Sequence, residues 1–409
     1  MTPRHSSLPE SAYAWWRLLA AVLISTIGGV GMWSSVVALP SVQAEFDAAR
    51  GDAALPYTFT MIGIAVGSVV MGRVADRFGV VVPVIGAAFA LGVGYVAAAF
   101  ASDLWQFAIV HGLLIALFGS AATFAPLIAD TSHWFVRRRG IAVAICASGS
   151  YLAGAFWPPV IQSVIDIVGW RHAHMGIGIF CAVTILPLAL ALRRPPPVLA
   201  GTADLAGGSR PRGTPGLPPA VLQSLLVVAG VACCVAMSMP QVHIVAYCVD
   251  LGYGAARGAE MLSLMLGFGI VSRLASGWIA DRIGGLPTLL LGSVLQATAL
   301  ILYLPFDGLY ALYMVAALFG LFQGGIVPSY AIVVREYFPA SEAGARVGLV
   351  LTATIVGMAL GGWMTGVIFD LTGSYRTAFL NGIAWNVLNM AIAAWLLFRT
   401  LRPRTSVAL

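Results

Sequence analysis

The chain has 409 residues, 60% of them apolar and only 9% charged, with a mean hydropathy of +0.92. Soluble domains carry roughly 25% charged residues, so this composition excludes a water-solvated globule and makes lipid the main solvent. The formal charge of +6 comes from 22 arginines and no lysine, scattered over short loops, which argues against a nucleic-acid partner and excludes the lysine-dependent phosphate loop of an ATP-driven pump.

In lipid every backbone polar group needs an internal partner, so a spanning chain is helical or a closed barrel. The apolar runs are about 20 residues long without period-two alternation, which selects helices. The first run, from Trp15 to Leu39, exceeds the roughly 7–15 residues of a signal-peptide core. It is read as a span despite the faintly cleavage-like Ser41-Val-Gln-Ala44. The second, 54–74, carries Gly63 and Gly67 at the four-residue spacing that lets helices approach closely. Spans are expected next at 81–101, 105–129, 140–165 and 172–192. Residues 193–219 are rich in Arg, Pro and Gly; they cannot form a buried helix and read as a linker. Six further spans are expected at 220–246, 258–279, 286–305, 309–333, 346–369 and 377–398. The eleventh holds Gly357 and Gly361, again four apart. Cys146, Cys181, Cys233, Cys234 and Cys248 lie inside these runs without metal-type spacing, so they read as small packing residues.

The octapeptide Gly72-Arg-Val-Ala-Asp-Arg-Phe-Gly79 returns 205 residues later as Gly277-Trp-Ile-Ala-Asp-Arg-Ile-Gly284, and the same offset links Arg171 to Arg376. Internal repetition in a strongly apolar chain points to a transporter built from related halves. The expected fold class is all-α: a polytopic membrane protein of 12 transmembrane helices in two pseudo-symmetric six-helix halves. The halves are expected at 1–192 and 220–409, joined by the 193–219 linker. Of the 22 arginines, Arg50, Arg171, Arg257 and Arg376 fall on one face, Arg273 lies inside a span, and the remaining 17 fall on the other face. Positive charge accumulates on the cytoplasmic side, so both termini are expected inside. Exclusive use of arginine with abundant Ala and Gly suggests a GC-rich bacterial genome, and hence a bacterial inner membrane.

Twelve spans, two halves, a central linker and Gly-x-x-x-Asp-Arg-x-Gly between spans 2 and 3, recurring between spans 8 and 9, resemble the major facilitator superfamily over essentially the whole chain. The family motif usually continues with two basic residues after its last Gly, where Val80 and Val81 stand here. Trp134 to Ala142, Ala147-Ser-Gly149, Trp157-Pro-Pro159, Gly169-Trp-Arg171, Val242 to Ala246, Ser272 to Gly277 and Asp370 to Arg376 resemble, more narrowly, bacterial monocarboxylate-transporter-like members.

Arg273 is the sharpest candidate. An arginine at the centre of a span costs on the order of 2.5–3.5 kcal/mol and usually faces a cavity. In the family it resembles, an arginine at the matching place binds the substrate carboxylate. The bland alternative is that Arg273 snorkels or pairs with a backbone carbonyl. Family members often place an aspartate one turn earlier as a proton switch; Gly269 stands there, and the nearest acid of the span is Glu260. His243 follows Pro240, a place where the helix is expected to break and border a transport site; packing is the alternative. Gln323 and Tyr330, seven apart, are expected to share a face of span 10, while Ser148 and Tyr151 lie three apart in span 5. Both pairs are read as cavity lining, with helix-to-helix bonding as the alternative. Asn386 and Asn389 read as structural.

Gly72, Asp76, Arg77 and Gly79, with Gly277, Asp281, Arg282 and Gly284, form the expected cytoplasmic gate motif. The resemblance implies that its aspartates latch the halves by accepting hydrogen bonds at a neighbouring helix start, with the glycines allowing close backbone approach. The alternative is an ordinary solvated turn. No enzyme signal, cofactor motif or metal cluster is present in the sequence. The expected activity is transport of a small organic monoanion, with the bilayer and a coupled proton as further partners and a monomeric chain. Span 11 carries no charge, unlike that of oxalate–formate exchangers, which place a lysine there. Export of apolar drugs and a non-transporting receptor remain the alternatives.

Overall fold

The computed structural model describes residues 10–135, 138–194 and 217–401. The expected linker lies almost wholly outside them. The described elements are all helices.

Four helices open the chain: α1 (Ala12–Glu45), α2 (Arg50–Phe78), α3 (Val81–Ala99) and α4 (Leu104–Trp134). A continuous stretch, Gly140–Leu190, follows. Its Gly169 has φ +78° and ψ 161°, outside the helical region, so it is two spans joined end to end, α5 before Gly169 and α6 after it. The rest are α7 (Pro219–Asp250), α8 (Ala255–Ile283), α9 (Gly285–Leu302), α10 (Leu309–Tyr337), α11 (Glu342–Thr372) and α12 (Tyr375–Thr400). Among the described residues the spans number twelve, in line with the sequence expectation.

The two octapeptide copies end α2 and α8 in the same way. Gly79 and Gly284 take φ of +80° and +91°, a left-handed region that costs glycine little. Their amides donate to the carbonyls of Ala75 and Ala280 at 2.8 and 2.9 Å, closing each last turn. Gly72 and Gly277 behave differently from expectation: a Cβ added at either would meet nothing within 4 Å. The close approaches occur at the other glycine pairs. A Cβ at Gly63 or Gly67 would strike α4 at the carbonyls of Gly112 and Leu117. A Cβ at Gly357 or Gly361 would strike α7 at Val231 and Val235. These are the small-residue faces the spacing predicts.

Pro240 does not break α7, which runs unbroken from Pro219 to Asp250. Proline's fixed φ suits a helix, and the lost N–H bond is tolerated where neighbouring protein packs around it; Met239 and Gln241 are both buried. Real irregularities lie elsewhere. The α4 helix turns π-helical from His111 to Ser120, and α10 is interrupted at Gly324 and Gly325.

Contacts divide the chain into two compact units: Met1–Asp204 with Val242–Gly267, and Leu205–Gln241 with Phe268–Leu409. The core of the second unit is a cluster that includes Leu226, Met237, Leu289, Tyr330 and Leu396. All five cysteines are buried and none is in a disulfide.

Candidate functional site

In the second unit the candidate site is built on α8. Arg273 lies eight residues before Asp281, so about 12 Å from that end of the helix. It is half-buried, with Ser272 buried beside it and Leu274 exposed. The break in α10 sits directly on this turn. A Cβ at Gly324 would strike the Gly269 carbonyl and Ser272, and one at Gly325 would strike Ser276. Two adjacent glycines therefore let α10 pack against the turns that flank Arg273.

Gln323 is the last residue of α10 before this break and is fully buried. Among the described residues neither its amide oxygen nor its nitrogen has a hydrogen-bond partner. An unsatisfied buried polar group costs roughly 1–3 kcal/mol, so Gln323 is suited to a polar ligand atom. Gln323 and Tyr330 are both fully buried, on either side of the Gly324–Gly325 turn. Tyr330 is committed elsewhere. Its hydroxyl donates to Asn389 Oδ1 at 2.8 Å, Asn389 Nδ2 donates to Ser293 Oγ at 2.7 Å, and Asn386 Nδ2 donates to the Ser293 carbonyl at 2.8 Å. This network ties α9, α10 and α12 together, in line with the structural reading of the two asparagines.

Ser148, Tyr151 and His243 belong to the first unit. Ser148 lies at a turn within α5, and its hydroxyl donates to the Ala144 carbonyl at 2.9 Å, a bond internal to the helix. Tyr151 is half-buried one turn later, and His243 is buried in α7.

Asp76, Arg77, Asp281 and Arg282 are all exposed. Arg77 stacks on Phe78, its guanidinium 5.2 Å from the ring centroid, and Arg282 on Trp278 at 3.3 Å. Neither aspartate has a hydrogen bond or ion pair among the described residues. Other carboxylates hold the helices at these ends. Glu336, near the end of α10, accepts from the Gly285 amide at the start of α9 with both oxygens at 3.1 Å. Asp130, near the end of α4, takes a bidentate pair from Arg17, both bonds 2.8 Å. Arg17 also lies 4.6 Å from the Trp134 ring centroid.

Two ion pairs, one buried and one partly buried, escape a reading of the sequence. Arg17 sits inside α1, although the charge count places it with the loops. Its partner is 113 residues away. Arg50 is also buried, bonded to Asp250 at 3.0 and 3.1 Å across 200 residues. Only an acid near a span end hinted at either pair, and many span ends carry one.

Comparison with known proteins follows the same lines. A family model described as Major Facilitator Superfamily matches residues 21–309 and 262–408. The chain is 27% identical over 392 residues to Monocarboxylate transporter 13 of Bos taurus, covering 91% of this chain and 86% of that protein. It is 28% identical over 396 residues to Monocarboxylate transporter 11 of Homo sapiens, with 93% and 82% covered. It is 27% identical over 320 residues to the MFS transporter asaE of Aspergillus flavus, with 75% and 69% covered. Among solved structures, a bacterial homolog of the human lysosomal transporter Spinster, in its inward-facing and unoccupied conformation, superposes with a TM-score of 0.71 at 15% identity, with 96% of this chain and 98% of that one covered.

Proposed function

Because the chain belongs to the Major Facilitator Superfamily, we propose that it transports a small organic monoanion of the monocarboxylate type by alternating access, as a facilitative or secondary active carrier. Arg273 carries this reading. A half-buried guanidinium within an apolar span is by default a candidate for a functional site. Its planar fork fits two carboxylate oxygens and stays charged at any relevant pH. The orphaned Gln323 amide, next to the glycines that contact α8, supplies a second polar group for the same ligand. One cation favours one negative charge over the two of a dicarboxylate. The similarity to proteins named monocarboxylate transporters supports the substrate class.

The arginine distribution supports an inner-membrane protein with both termini cytoplasmic. The sequence repeat supports rocking of two six-helix halves, 1–192 and 220–409, about a midplane site. The exposed Asp76 and Asp281 serve as the cytoplasmic latch between the halves.

Purified protein in proteoliposomes should take up radiolabelled lactate or pyruvate, and should discriminate against succinate. Uptake of apolar drugs with no monocarboxylate flux would sink this reading in favour of an exporter. Binding of ligand with no flux of any kind would favour a receptor.

A further inference from the structure

The core of the first unit holds a pair of groups that neither the anion site nor the gate employs. His111 opens the π-helical stretch of α4, and His174 lies in α6. Both are fully buried, with ring centroids 5.6 Å apart. His174 Nδ1 lies 2.8 Å from the Trp170 carbonyl oxygen. A carbonyl only accepts, so Nδ1 carries the hydrogen and Nε2 presents its lone pair. Among the described residues that Nε2 has no hydrogen-bond partner, and neither ring nitrogen of His111 has one. Histidines that serve only as packing are satisfied when buried; three orphaned nitrogens in one place point to something bound between the rings.

Aromatic rings enclose the pair. Phe107 lies 4.5 Å from His111 and 5.5 Å from His174, centroid to centroid. Tyr95 lies 6.1 and 5.5 Å from the same two rings, and Trp170 lies 5.5 Å from His174. Rings at this range attract a positive charge. Several polar groups of the neighbouring helices are already bonded. From α1, Ser34 pairs with the Tyr95 hydroxyl at 2.8 Å, and Glu45 accepts from Trp170 Nε1 at 2.5 Å and pairs with Arg171 at 2.7 Å. In α4, Asp103 caps its own helix through Gln106 N, and in α5, Asp166 accepts from Gln162. In α6, Cys181 is a buried free thiol. A metal is poorly served: the described residues hold no group of three or more metal-ligating side chains, and zinc takes three or four protein ligands.

We propose that His111 and His174 form a proton-binding pair. The Nε2 lone pair of His174 takes one proton from hydronium, releasing water, and the resulting N–H donates to the lone pair of a His111 ring nitrogen. The single positive charge is then shared by two imidazoles inside the aromatic cage. His111 stands where α4 turns π-helical, a geometry frequent at functional sites. That this proton is the one coupled to anion movement rests on the transport reading above; the binding of the proton does not.

Nitrogen-15 spectra of labelled histidines in nanodiscs, recorded from about pH 8 to 4.5, test the pair without any substrate. His111 and His174 should titrate together, one proton per chain. His174→Gln should abolish the titration of His111, and His111→Gln that of His174. Neutral rings throughout, or two independent titrations, would overturn the proposal. So would saturable shifts of both rings on adding Zn²⁺ at constant pH, which would make this a metal site. In proteoliposomes each variant should lose pH-gradient-driven accumulation of the monoanion yet keep anion exchange. Accumulation at the native level in both variants would overturn the coupling role. A pair that titrates jointly in a protein with no monoanion flux would leave the proton site standing and defeat the transport reading instead.

Discussion

Arg17, Arg50 and Arg273 all stand within helices but differ in burial. The first two are buried and each holds a carboxylate in a bidentate pair. Arg273 is half-buried on α8 and lies beside the glycine break of α10. A charge-assisted hydrogen bond is worth roughly 1.5–3 kcal/mol net, so Arg273→Ala should weaken monocarboxylate binding by about tenfold to over a hundredfold. Uptake should be lost while the protein stays monodisperse in detergent. Arg273→Lys keeps the charge but not the planar fork, and should recover little. Native uptake by the alanine variant would place substrate recognition elsewhere. Arg273 was legible in the sequence because a lone charge in an apolar window is conspicuous. Arg17 and Arg50 were not, since burial there depends on partners 113 and 200 residues away. The histidine pair was equally hidden, because nothing local brings residue 111 against residue 174.

At the level of the helix, the apolar runs located every span but stopped short of most ends. The first run covers 15–39 and its helix Ala12–Glu45; the seventh covers 220–246 and its helix Pro219–Asp250. Hydrophobicity marks what lipid requires, whereas caps and positive-φ glycines set where the helix stops. Internal breaks were harder still. Pro240 looked like a break and is not, while Gly324-Gly325 is a break that composition does not distinguish from a packing face. That break can be tested by filling it. Gly325→Ala puts a methyl group against Ser276, one turn from Arg273. Overpacking of this kind costs roughly 1–3 kcal/mol, so the variant should melt earlier and transport more slowly. Adding Ser276→Gly should restore both. Full transport by Gly325→Ala alone would show that the contact between α8 and α10 does not position Arg273.

For the molecule as a whole, the sequence repeat marks the halves at the linker, whereas contacts divide the chain within α7 and α8. The repeat encodes topology and says nothing about which conformation the helices adopt, so this division was not legible beforehand. The segment Val242–Gly267 packs in one unit with Met1–Asp204, and its attachments are specific. Arg50 holds Asp250, the Ser263 hydroxyl donates to the Ala155 carbonyl, and Leu266 packs where Gly154 leaves no room for a Cβ. Beside the ion pair lies a cavity of about 290 Å³ lined by Gln43, Asp47, Arg50, Ala246 and Val249. The alternating access proposed above would detach this segment, and the proposed orientation puts it on the outer side. Arg50→Ala should therefore favour detachment, and each 1.4 kcal/mol lost from the attachment raises the detached population about tenfold. Ala246 is buried, so a cysteine placed there, with the five native cysteines removed, reports the event. An impermeant thiol reagent added outside intact cells should label Ala246→Cys faster in the Arg50→Ala background. The swap Arg50→Asp with Asp250→Arg should slow labelling back toward its starting rate. Equal rates in all three backgrounds would show that the ion pair does not hold the segment, and labelling only from the cytoplasmic face of inverted vesicles would reverse the orientation.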